Sequence, residues 1–146
     1  MRTDGSHGAR IFKGGLVYFA LVFGAGFILG AIRVPILAPR LGERVAELVE
    51  MPFMFVAVLL AARFVVRRFS LPAGTSSRLP VGLLALGLLL VAEFLLAVAI
   101  QDRSLGAYIA SRDPVSGTVY LAMLVLFALM PLILARVSPA RGRHAA

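Results

Sequence analysis

The chain contains no cysteine, which excludes disulfides, thiolate nucleophiles, Cys-ligated zinc and iron–sulfur clusters. Tryptophan is absent as well, leaving Tyr18, Tyr108 and Tyr120 as the amphipathic side chains expected at a membrane–water boundary. Of the 15 basic residues only Lys13 is a lysine, an arginine bias of the kind a GC-rich bacterial genome produces. Charge itself is scarce: 15% of residues carry it, against about 25% in an ordinary soluble domain.

What fills the chain instead is apolar. Hydrophobic residues make up 60% of the 146, and the mean hydropathy is +0.95. A soluble domain sits near 45–50% apolar, so there is too little polar surface here to cover a water-soluble globule. Four apolar runs stand out, at about 14–34, 45–68, 79–101 and 115–136. Each is near the ~20 residues that a helix needs to cross ~30 Å of hydrocarbon. None shows the two-residue alternation of a barrel strand, and irregular backbone cannot face lipid, so all four are read as helices. The expected fold is all-α: a four-transmembrane-helix bundle, one integral membrane domain over 1–146 with no separate soluble part.

The connections support this division. Pro35 and Pro39 break or bend the first helix near its exit, and the second helix can extend back to Glu43. Residues 70–80, with Pro72, Gly74, Ser76 and Ser77, read as a short turn. Asp113 before Pro114 places a capping carboxylate ahead of a proline suited to a first helical turn. Residues 105–109 form a short amphipathic piece at the interface. The first span follows a basic stretch, as a signal peptide would, but its core of ~17–19 residues exceeds the usual 7–15 and no A-x-A site follows, so it is read as retained.

Orientation follows from the positive charges. The N-terminal tail, the second loop and the C-terminal tail hold ten basic residues (Arg2, Arg10, Lys13, Arg63, Arg67, Arg68, Arg78, Arg136, Arg141 and Arg143). The first and third loops hold five: Arg33, Arg40, Arg44, Arg103 and Arg112. A twofold bias over short loops places both termini in the cytoplasm of a bacterial inner (plasma) membrane, as a multi-pass protein. Although the net charge is +8, the cations flank apolar spans rather than covering a soluble face. Anionic lipid is therefore their expected partner and no nucleic acid is implied.

The chemistry-bearing residues are the charges close to hydrocarbon. Glu93 lies inside the third span, in the run LLLVAEFLLAVA. An ionised carboxylate there costs at least ~2.5 kcal/mol, so it must be protonated, paired or wet. It is expected about 10 Å below the outer surface, at 1.5 Å per residue. Arg33 ends the first span and Glu50 opens the second at that level, so Arg33 is expected to bridge Glu50 and Glu93. The trio reads either as a ligand or proton site or as an internal ion-pair cluster. Glu43, Glu47 and Glu50, at i, i+4 and i+7, share one face of GERVAELVEMP; they form either a carboxylate-lined vestibule or an acidic helix start favoured by the dipole. Arg63 is expected to snorkel.

Gly24, Gly26 and Gly30 on the first span allow close helix packing, within the chain or between copies. Met51, Met54 and Met123 have no Cys or His beside them and are read as packing side chains. His7 and His144 lie in polar tails. No catalytic set, metal site or cofactor-binding motif is present.

The blocks IRVPILAPRLGERVAELVEMPFM and YIASRDPVSGTVYLAMLVLFALMP resemble those of small four-span inner-membrane proteins of proteobacteria whose function is unknown, a resemblance that implies no activity. The size and single buried Glu are similar to small multidrug-resistance transporters, whose Glu is on the first span, where this chain has none. GERVAELVEMP is similar to the second-span turn of the membrane-associated eicosanoid and glutathione metabolism family. It lacks that family's asparagine, and the charge bias puts it outside. The expected role is a non-enzymatic accessory or interaction protein, in a homo-oligomer or larger membrane complex. An oligomeric proton-coupled transporter or channel is the alternative, and a membrane enzyme comes third.

Overall fold

A computed structural model of the protein describes residues 3–101 and 113–137, with 106 and 110 between them. The interfacial piece expected at 105–109, and Arg2, Arg103, Tyr108, Arg112, Arg141, Arg143 and His144, lie outside the described residues.

Among the described residues all regular structure is helical: α1 (Thr3–Ile32), a π-helical turn (Arg33–Leu37), α2 (Ala38–Leu41), α3 (Glu43–Arg68), α4 (Thr75–Gln101) and α5 (Pro114–Val137). Four segments are long and apolar enough to cross a membrane: Gly5–Leu41, Glu43–Arg68, Thr75–Ala99 and Pro114–Val137. The first helix starts well before the apolar run at residue 14. Adding a residue to an existing helix is cheap compared with nucleating one, and the extension has packing to gain. Ile11 lies against the core, and the His7 ring nitrogen Nε2 is 3.5 Å from Ser77 Oγ on α4.

The helix does not break at Pro35. The turn widens instead, so that the Ala38 N–H reaches the Arg33 carbonyl five residues back, the single-turn π geometry that accommodates a disturbed ladder. The chain turns at Gly42, whose φ of 81° suits a residue without a Cβ. Gly42 donates to the Ala38 carbonyl and accepts from the Ala46 N–H, both at 3.0 Å, so it closes one helix and opens the next.

α3 ends in a Schellman turn. Leu71 N–H bonds the Val66 carbonyl at 3.1 Å and Ser70 N–H the Arg67 carbonyl at 3.3 Å, which satisfies carbonyls that a helix end otherwise leaves open. Ser70 sits at φ 48°, in the position glycine usually takes. α4 then begins at Thr75 rather than near Pro80, because the Gly74 carbonyl accepts from the Ser77 and Arg78 N–H groups at 3.2 Å. Pro80 falls inside the helix, early enough to remove only one intrahelical bond. At α5, the Asp113 carboxylate accepts from Val115 and Ser116 N–H at 3.1 and 3.0 Å, the cap its sequence indicates.

α1 and α5 each pack against both α3 and α4, so α1 and α5 occupy one diagonal of the bundle. The core cluster of Tyr18, Val22, Val58, Ala62, Val65, Val81, Ala85 and Phe127 lies toward the arginine-rich end. Close approach is made by Gly82, where a Cβ would stand 1.8 Å from the Ala128 carbonyl oxygen, and by Gly15 against Leu84. Gly24 and Gly30 have open space around them, and Gly26 would make only an ordinary contact with Met54. Intramolecular close packing thus runs through Gly15 and Gly82 rather than through Gly24, Gly26 and Gly30. Large apolar side chains such as Phe27, Ile28, Phe53, Leu60, Leu95 and Leu121 cover the outside.

Candidate functional site: a polar cluster in the acidic half

Opposite the core, the bundle carries Arg33, Glu43, Glu47, Glu50, Glu93 and Asp113. Arg33 opens the π turn, while Glu47 and Glu50 stand three residues apart on the α3 face that α1 packs against. Arg33 Nη1 donates to Glu47 Oε1 at 2.9 Å. Its Nε lies 2.7 Å from Glu50 Oε2, a charge contact whose N–H is not aligned for a hydrogen bond. Glu50 is the more enclosed of the two acids, with 13% of its side chain exposed against 24% for Glu47. Two carboxylates around one guanidinium leave the trio at −1 when all are ionised. Glu43, a turn earlier, is exposed and takes no part.

A cavity of about 290 Å³ adjoins the pair, lined by Leu29, Ile32, Arg33, Leu37, Val49, Glu50 and Phe53. It is apolar apart from the ion pair.

Glu93 is held differently from the expected bridge. Its Oε2 accepts a hydrogen bond from the Tyr120 hydroxyl. The topology explains the change: Arg33 lies at the α1–α3 boundary, whereas Glu93 on α4 meets α5. Arg33 therefore joins Glu50 to Glu47. One turn from Tyr120, Ser116 is fully buried and its Oγ has no partner among the described residues.

Near the end of this half, Arg44 Nε and Nη2 both donate to Asp113 Oδ1, at 2.9 and 2.5 Å, tying α3 to the start of α5. The Arg44 hydrogen bond, aided by the capping N–H groups, holds the Asp113 carboxyl down at about 2.

Two residues that the sequence assigns to the surface lie inside. Tyr18 is 0% exposed and donates to the Phe127 carbonyl at 2.6 Å. That carbonyl would bond the residue-131 N–H in a regular helix, but residue 131 is proline. The signal was available in principle, as a tyrosine on one span and a proline on another, but nothing in the sequence pairs them. Arg78, counted among the orienting charges, is 8% exposed and donates to the carbonyls of Pro72, Pro131 and Leu71 at 3.0, 3.2 and 3.3 Å.

Among the described residues no group of three or more His, Cys, Asp or Glu side chains is placed to hold a metal ion. The arrangement can neutralise charge and tie helices together. Comparison with family models, with curated proteins and with solved structures finds no match for this chain.

Proposed function

We propose that this is a multi-pass protein of a bacterial inner membrane, termini in the cytoplasm, acting as a non-enzymatic accessory or interaction protein in a homo-oligomer or larger complex. The proposal is carried by the internal pairing of polar side chains at membrane depth: Arg33 with Glu47 and Glu50, Glu93 with Tyr120, and Tyr18 with the Phe127 carbonyl. Polar groups engaged with one another across helices tie a membrane bundle together. The ten-to-five distribution of basic residues supports the orientation.

The test is purification from membranes in a gentle detergent, followed by native mass measurement. The expected particle exceeds the 15.6 kDa chain by a stoichiometric second protein or further copies. A bare monomer under every gentle condition contradicts the proposal. A second function, proton-coupled transport, is favoured by one observation: Glu93 is hydrogen-bonded to Tyr120 one turn from the unpartnered Oγ of buried Ser116. It predicts that Glu93→Gln abolishes proton flux in proteoliposomes while the protein still inserts.

A further inference from the structure

The arginines at the other end of the bundle divide into two kinds. Arg78 is buried and engaged with three carbonyls. Arg63, Arg67 and Arg68 are exposed on α3, and none of them pairs with a carboxylate among the described residues. They are also not needed to cap their own helix, because the Val65, Val66 and Arg67 carbonyls are taken by the Phe69, Leu71 and Ser70 N–H groups. Among the described residues, three guanidinium groups are thus left without an internal anion.

Their placement is specific. Leu60, Arg63, Phe64, Arg67 and Arg68 follow the i, i+3, i+4, i+7, i+8 spacing of one helix face and line a groove of about 440 Å³. The interleaved Ala61, Ala62 and Val65 face the core, so the groove looks out of the bundle. Leu60 and Phe64 are 59% and 51% exposed and lie deeper along the span than Arg67 and Arg68. The Arg68 guanidinium lies 6.0 Å from the centre of the Phe69 ring. Lys13 adds a cation at the same depth: its neighbour Gly14 faces Val65 and Phe69. Among the described side chains, the carboxylates of Glu43, Glu47, Glu50, Glu93 and Asp113 all lie toward the opposite end, where they cannot neutralise this face.

From this geometry we infer that the α3 groove is a binding site for one anionic phospholipid, its phosphodiester held by Arg63, Arg67 and Arg68 and an acyl chain lying along Leu60 and Phe64. Arginine forks match phosphate oxygens two at a time, and an anionic leaflet attracts such a cluster. The exposed apolar pair below the cations selects a lipid over a free phosphate ion. The inference rests on the membrane location proposed above and not on the accessory role.

The test is native mass spectrometry of the full chain from mixed micelles holding equal phosphatidylglycerol and phosphatidylcholine, with a parallel arm of millimolar inorganic phosphate. The wild type is expected to retain one phosphatidylglycerol with at least tenfold preference, undisturbed by phosphate. The combined variant Arg63→Gln, Arg67→Gln, Arg68→Gln loses that preference, and Arg136→Gln, at the same end but outside the groove, keeps it. Should the combined variant fail to fold, Arg67→Gln alone is expected to weaken retention several-fold. Equal retention by wild type and groove variants, equal loss in Arg136→Gln, or displacement by phosphate overturns the inference. A chain that stays soluble without detergent refutes the membrane location instead.

Discussion

Replacing Tyr18 by Phe removes one oxygen from a fully buried side chain and leaves its shape intact. The Phe127 carbonyl then loses the hydroxyl that lies 2.6 Å away. It has no helical N–H to fall back on, because residue 131 is proline. A buried acceptor left unsatisfied costs about 1–3 kcal/mol, whereas a bond to an acceptor that keeps another donor is worth about 0.5–1 kcal/mol. Tyr18→Phe is therefore expected to destabilise by about 2 kcal/mol in the native sequence. In a Pro131→Ala background the restored N–H serves the same carbonyl, and the loss falls to about 0.5–1 kcal/mol. The four proteins of this cycle would be unfolded by SDS titration from mixed micelles and followed by far-UV circular dichroism. A coupling of about 1–1.5 kcal/mol supports the pairing of a proline on one helix with a tyrosine on the diagonal one. Equal losses in the two backgrounds refute it.

Other expectations follow from single contacts. Ser70→Gly relieves a left-handed residue in the α3 Schellman turn and is expected to raise stability by about 1 kcal/mol in the same titration. Gly82→Ala pushes a methyl into the Ala128 carbonyl and is expected to cost upward of about 2 kcal/mol. Gly24→Ala and Gly30→Ala meet open space and are expected to leave the isolated bundle as stable or up to about 1 kcal/mol more so; destabilisation by either would show that this face is packed within the chain. The Asp113 carboxyl lies at about 2 when folded and near 3.9 when unfolded. Its contribution is therefore complete above about pH 4 and disappears as the pH falls toward 2. The stability difference between wild type and Asp113→Asn should shrink across that window and stay constant from pH 5 to 7.

The four spans are legible because hydrocarbon thickness and hydropathy fix length without reference to partners. Caps are legible for the same local reason: Asp113 before Pro114 declares its helix start. Side-chain partners are not, since they depend on which helices become neighbours. The acids at 47 and 50 and the cation at 33 are visible as charges at one depth, and two of the three expected members do meet. Glu93 goes to Tyr120 because α4 faces α5 there, a fact about bundle order that four similar apolar runs do not encode. Arg78 shows a second limit. Charge counting treats every arginine near a span end as solvated, but this one is consumed by the backbone carbonyls of Leu71, Pro72 and Pro131. The first-span glycines show a third, since small-residue spacing marks an ability to pack closely and says nothing of where the partner is.

The claim that membrane-depth polar groups serve the bundle itself is tested most directly by a stability cycle on Glu93→Leu and Tyr120→Phe. Each single variant breaks the same hydrogen bond, so the account predicts strongly non-additive losses, with a coupling of about 1–2 kcal/mol between the two positions. Additive losses, or a Glu93→Leu protein as stable as the wild type, would contradict it and return Glu93 to a role that the fold does not need.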